Sequence, residues 1–466
     1  MNTVTKIFAL SIASSVGIFA SIAETHAANV SAASCSYSDV SSAVTSAAVG
    51  DTITVPAGSC TWSSTLNINK GISLIGAGVG KTVITSSASG FLISYMPASP
   101  STNALFRVSG FTFDLGGGSR SGIDMRSGNT LVLQTKVRID NNRFQNIAQG
   151  TTQYMFIHTA GIRGVVDNNY FTSATYMARA NGNFDPGQSF WNNHEGVVFG
   201  QADNNLWFED NVINVEAGGG VVDCIEGLRY AFRYNTINVP TGNQMFDLHG
   251  NNGPGDTSCF GGELYGNNMV GGTSGQFLDQ RGGRFFVFNN NFAGSGWNIN
   301  VREEQDDNQT PLGTYVGPGT RYPQHVSGTY NWGNRANLTG SLVPTVKGSN
   351  CIGSVCYNTP MPVAGQDFFT ESTSTGISCG TLANRPSSCT TNQGYWATNQ
   401  SCTNLTGMVG ANPATPIAGT LYTCKTTNTW DSGHVPLPYP HPLRGTVSAP
   451  SAVPNAPFLH LPIYVQ

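Results

Sequence analysis

Only 10% of the 466 residues are charged, so the places where ionisable side chains gather carry information. Six segments put them at comparable positions near the ends of short β-rich stretches. These are Asp124-Met125-Arg126, Phe156-Ile157-His158, Asp223-Cys224-Ile225-Glu226, Asp247-Leu248-His249, Leu278-Asp279-Gln280-Arg281 and Ile299-Asn300-Val301-Arg302-Glu303-Glu304. Carboxylate, imidazole and guanidinium at one edge are the parts needed for elimination from a uronate. A base removes the proton α to the carboxylate, and a cation or an Arg neutralises that carboxylate. In this reading Arg281 or His249 is the base, and Arg302 is the carboxylate partner. Asp279 and Trp191 would be further substrate contacts, Trp191 by stacking on a sugar ring or else by anchoring its loop. Asp223, Glu226 and Asp247 would be Ca2+ ligands, because that ion takes oxygen donors. Two further readings compete. Asp223, Glu226, Asp247 and Asp279 could form the paired carboxylates of a glycoside hydrolase. Alternatively the residues only solvate the outer face of a glycan-binding or adhesin-like protein.

Whatever brings these residues together must be a repeat. The motif Asn-Asn-x-apolar, or a close variant, recurs as Asn141-Asn142-Arg143-Phe144, Asn168-Asn169-Tyr170-Phe171, Asp210-Asn211-Val212-Ile213, Tyr234-Asn235-Thr236-Ile237, Asn267-Asn268-Met269-Val270 and Asn289-Asn290-Asn291-Phe292. Counted at the second position, the steps are 27, 42, 24, 33 and 22 residues. A base period of this size with two longer steps implies a solenoid with one coil per repeat and two insertions. Long 3.6-periodic segments are absent, and so is a Leu framework, which removes helical and leucine-rich solenoids. A parallel β-helix remains, with Asn residues stacked coil on coil inside a turn, where their amides satisfy polar backbone. The Asn pattern is therefore read as scaffold.

The flanks differ. Residues 1–27 have the pattern of a signal peptide: Lys6, an uncharged apolar run Ile7–Ala23, then Thr25-His26-Ala27. Ser38–Ala48 predicts a short amphipathic helix with Val40 and Val44 on one face, fit to cap the first coil. The β-helix domain is placed at 28–340. From 341 to 466 Pro and Cys rise, and a small disulfide-rich β module is expected around Tyr395, Trp396 and Trp430. Those aromatics would serve its core or, less simply, bind glycan. Val435–Arg444, with prolines at close spacing, should be extended and pack back along the solenoid.

The order of that helix, the segments GDTITVPAG (50–58) and GISLIGAG (71–78), then VSGFTF (108–113) and the Asn-rich coils, resembles the pectate-lyase-like right-handed parallel β-helix superfamily over about residues 35–335. The resemblance implies an all-β solenoid and a secreted carbohydrate-active protein, most simply a polysaccharide lyase. Asp247-Leu248-His249-Gly250-Asn251 is similar to a stretch in the chondroitinase-B and alginate-lyase branch. That branch uses a Lys base, and this chain has no Lys between Lys136 and Lys347, so an Arg, the base in pectate lyases, would have to serve. The Asn-Thr-Asp and Arg-Ile-Lys signatures of polygalacturonases are absent.

Composition narrows the setting. A net charge of −4 and no basic run argue against a nucleic-acid partner. The only long apolar run is the leader, so no membrane insertion is expected and the location is extracellular or periplasmic. Ten Cys in such a chain point to disulfides. The partner expected is a polysaccharide, with Ca2+ as the cofactor if there is one.

Overall fold

The structure, a computed structural model, describes residues 27–116, 120–128, 132–147, 155–181, 200–225, 227–250, 258–304, 325–349, 351–352, 355–356, 361–372 and 376–445. It is an all-β parallel helix. One sheet has twelve strands, running in order from Asn29–Ser31 through Thr52–Val55, Ser73–Gly76, Phe106–Ser109, Val137–Asp140, Gly164–Asp167, Leu206–Glu209, Arg229–Arg233, Gly261–Tyr265, Arg284–Phe288 and Thr329–Trp332 to Phe368–Thr370. A further eighteen strands form two faces. These are joined because Tyr170–Asn181 and Val212–Ile225 run through the corner and belong to both. The long sheet thus continues past residue 340, to a last strand that carries no Asn motif.

Each coil turns sharply where a residue adopts positive φ: Asn141, Asn168, Asp210, Tyr234, Gly266, Asn289 and Gly333 occupy this position in seven successive coils. The next residue in each coil is a buried Asn. The series is Asn142, Asn169, Asn211, Asn235, Asn267, Asn290 and Asn334, in which each Oδ1 after the first accepts both the backbone N–H and the side-chain Nδ2–H of the Asn one coil before, while Asn142 Oδ1 accepts from Phe111 N. The ladder confirms the sequence reading with one correction. In the fifth coil the rung is Asn267, not Asn268, because Gly266 takes the positive-φ position and Asn268 starts the next strand. The last rung, Asn334, lacks the Asn-Asn motif because Gly333 replaces the first Asn.

Inside, alternate strand residues pack in columns. Phe113, Phe144 and Phe171 lie 5.3 and 5.0 Å apart in one column, and Phe246, Phe277 and Phe292 meet edge to face at 5.1 and 4.9 Å. Burying each ring stabilises by about 2–3 kcal/mol. The N-terminal end is closed by the helix Tyr37–Ser46, whose Val40, Ala43 and Val44 face the core and whose N-cap Ser36 accepts from Asp39 N. The disulfide Cys35–Cys60 fixes it to the first coil.

At the far end a four-stranded sheet, stapled by Cys379–Cys402 and Cys389–Cys424, rests on the outer face of the long sheet. Trp396 packs 5.3 Å from both Phe288 and Trp332, and Tyr395 is also buried. Packing is therefore the role of these two aromatics. The segment after His434 then runs back across the same face. Leu437 and Leu443 cover Val165, Trp207 and Ala231, and Arg444 is ion-paired to Asp167 and Asp210. The four disulfides among the described residues suit an extracellular protein. No described helix is long and apolar enough to cross a membrane.

Asn235→Ala should cost about 3 kcal/mol, because it leaves the Phe208 and Arg233 carbonyls and the Asn211 amide buried without partners. Urea unfolding of the two proteins checks this; an unchanged midpoint would remove the ladder as a source of stability.

Candidate functional site

The solenoid lines up one outward side chain per coil. Strand register places Asn67 beside Ser94, Ser94 beside Asp124, then His158, Arg179, Asp223, Asp247, Asp279 and Asn300 in successive coils. Their sequence neighbours, such as Met125, Cys224 and Leu248, point inward and are fully buried. Strand alternation therefore forces the polar residue out. Two positions further along, just past the strand in the later coils, stand Arg126, His249, Arg281 and Arg302. Six of the aligned residues come from the segments singled out in the sequence. Arg179 was missed: the 42-residue step was read as an insertion, whereas its first part, Tyr170–Asn181, is a full strand of the next coil.

His249 stands at the centre. Its backbone N–H donates to the Cys224 carbonyl, and its own carbonyl accepts from Cys259. The Cys224–Cys259 disulfide closes the same corner. The ring Nε2 lies 3.2 Å from Asp223 Oδ1 and 3.4 Å from Asp247 Oδ2, and Nδ1 faces Glu304 Oε2 at 3.8 Å. Glu304 is itself buried, accepting from Gly250 N at 3.0 Å and from Arg281 at 2.7 Å. A Cβ at position 250 would sit 2.4 Å from the Glu304 carbonyl oxygen, so this close crossing requires glycine. Glu304 is a second residue whose part in the site the sequence did not reveal, since nothing in Glu303-Glu304 says which side chain turns inward.

The charges are strongly coupled. Burial works against a charged His249, but hydrogen bonds with Asp223 and Asp247 outweigh it and raise its pKa to about 9. Burial alone would raise Asp247, yet bonds from His249 and Arg281 lower it to about 2. Arg281 has 5% of its side chain exposed and contacts Asp247, Glu304 at 2.7 Å and Asp279 at 3.6 Å. Burial opposes its charge, but those three carboxylates push its pKa up further. These surroundings hold the proton and so weigh against Arg281 as a base, which must shed it. Asp279 is 1% exposed and holds Arg302 and Asn300, so it positions other groups rather than touching a substrate. Arg302 remains partly open to solvent. Trp191 and Glu226 lie outside the described residues.

Asp223, Asp247 and His249 each offer a ligand atom, all within 4.8 Å of one another. The set suits Ca2+ poorly. That ion takes six to eight oxygens, whereas one donor here is an imidazole nitrogen and Asp247 is already bound by a guanidinium.

Removing Arg281 would leave Asp247 and Glu304 buried without their counter-charge. Arg281→Ala should therefore lose about 3–5 kcal/mol in thermal or denaturant unfolding. Full stability combined with lost turnover would restore a reacting role to it.

No family model and no curated protein matches the chain. Among solved structures it is similar to ORF18 of Geobacillus virus E2, at 11% identity over 85% of this chain and 72% of that one, with a TM-score of 0.35. It is also similar to the A-modules of two Azotobacter vinelandii mannuronan C-5 epimerases. For AlgE6 the identity is 13%, covering 67% of this chain and 94% of that one; for AlgE4 it is 15%, covering 64% and 91%; both have a TM-score of 0.24. Likenesses this distant transfer no activity.

Proposed function

We propose that the protein cleaves an acidic polysaccharide by β-elimination, with His249 as the base. The observation that carries this is the placement of a partly exposed His249, its Nε2 between two carboxylates and a third carboxylate behind Nδ1. Carboxylates so placed orient an imidazole and stabilise the imidazolium it becomes. His249 Nε2 would take the proton α to the uronate carboxylate. The C–H electron pair becomes the new C=C bond, the C–O bond to the next sugar breaks, and the leaving oxygen takes a proton from the imidazolium. Arg179, ion-paired to the same Asp223 that His249 contacts, supplies the guanidinium for the uronate carboxylate. Hydrolysis is less well supported: Asp247, held far below the usual carboxylate range, is unsuited to act as the protonated acid such a reaction needs.

The pH dependence has a definite sign. A raised pKa keeps His249 protonated at neutrality, with about one ring in a hundred free to act as base at pH 7. Release of unsaturated ends, followed by ultraviolet absorbance on a panel of uronate polymers, should rise about tenfold per pH unit and level off near pH 9. Asp223→Asn removes one stabiliser of the imidazolium and should move the rise to lower pH. His249→Gln should abolish it. A flat profile, or activity retained without His249, would reject this base. EDTA is expected to leave the rate unchanged; a loss restored by a divalent cation would instead favour a metal held by Asp223, Asp247 and His249.

A further inference from the structure

The column carries an ordering that the elimination chemistry does not require. Counting coils from Asp124, the partly exposed cations are Arg126 in the first, Arg179 in the third, His249 in the fifth and Arg302 in the seventh, with Arg179 two strand positions before the other three. Their side chains are 46%, 31%, 21% and 16% exposed. The coils between break the row. The second has His158, tucked against Asp124 at 2.5 Å; the fourth has Asp223 and Ile225; the sixth has Arg281, 5% exposed. Of the carboxylates, Asp124, Asp223, Asp279 and Glu304 are buried beneath, while Asp247, 19% exposed, is bound by Arg281 and faces His249. The face therefore shows positive groups outward at every second coil, although the charges nearly balance in number.

We infer that this row reads a linear polysaccharide lying along the solenoid axis and turning one carboxylate per disaccharide toward the protein. This rests on the reading above that the ligand is an acidic polysaccharide, and it specifies that polymer's repeat. Adjacent strands are about 4.8 Å apart, so every second coil is about 10 Å, the length of two sugars in an extended chain. An alternating copolymer of a uronic acid and a neutral sugar meets the spacing directly. A two-fold ribbon of uronic acids meets it with every second residue. A neutral polymer has nothing to place against the row. From Arg126 to Arg302 is six coil steps, about 29 Å, so about eight sugars fill it. Each exposed pair is modest and screened by salt, and the four act together only on a ligand of matching period.

The test is binding by the full chain at pH 6, where His249 is protonated and no turnover is expected. Calorimetry with oligosaccharides of alternating uronic acid and N-acetylhexosamine, from two to ten sugars long, should show affinity rising in steps of two sugars up to about eight. Neutral cello-oligosaccharides should not bind. Arg126→Ala, four coils from His249, should remove the gain of the longest ligands over the next shorter ones, about fivefold, and high salt should remove it too. Affinity rising with each single sugar, an Arg126→Ala protein that matches wild type at every length, or equal binding of the neutral series would overturn the inference. The two proposals fail separately. Cleavage at pH 9 without two-sugar steps rejects the row and keeps the elimination. Two-sugar steps without unsaturated ends do the reverse.

Discussion

A primary amide buried in a tight corner has to satisfy two donors and an acceptor where water cannot reach. In this solenoid the Asn of each coil meets that need with the Asn of the coils on either side. Its Oδ1 receives two N–H groups from the coil before, and its Nδ2 donates to a backbone carbonyl of the coil before as well as to the next Oδ1. No rung is satisfied alone, so each coil is locked in register with its neighbours. Everything on the outer face depends on that register. A slip of one residue in any strand would send Asp247 into the core and Leu248 into solvent.

Because the coils are in register, the site can be assembled from residues far apart in sequence with very little local invention. Asp124 and Asn300 stand on one line although they share no loop. Special devices gather at His249, where the strand ends: a disulfide, a glycine that permits backbone to pass close to Glu304, and a buried guanidinium that ties three carboxylates. Arg281 belongs to this scaffolding of charge. It fixes the carboxylates that in turn set the proton affinity of His249.

Much of the fold could be read from sequence because its determinants are local. A short period, an Asn after a positive-φ residue and alternating apolar residues are all visible in one dimension. The errors came where the signal was not local. Gly266 and Gly333 do the same backbone work as Asn, so the motif slipped by one residue at Asn267 and vanished at Asn334. Arg179 was hidden inside a step that mixes a strand with an insertion. The neighbours of Arg281 were hidden too, because a sequence lists the ionisable groups without listing what surrounds them. Three carboxylates around an Arg favour its charged form and a positioning role. The same neighbours account for the opposite placement of Asp279, which has the chemistry of a contact residue and the burial of a support.

The returning C-terminal segment has a consequence for how this molecule could change over evolutionary time. From His434 to Arg444 it touches five adjacent strands of the long sheet, at Phe286, Glu263, Arg233, Glu209 and Asp167. Solenoids ordinarily lengthen or shorten by duplicating or deleting a coil, since each coil meets only its neighbours. Here one extra coil in that span would move every anchor beyond it by about 4.8 Å, and a strand of fixed length could not reach them all. The segment acts as a ruler. It makes the number of coils beneath it an inherited constant, and with it the spacing of whatever the opposite face displays.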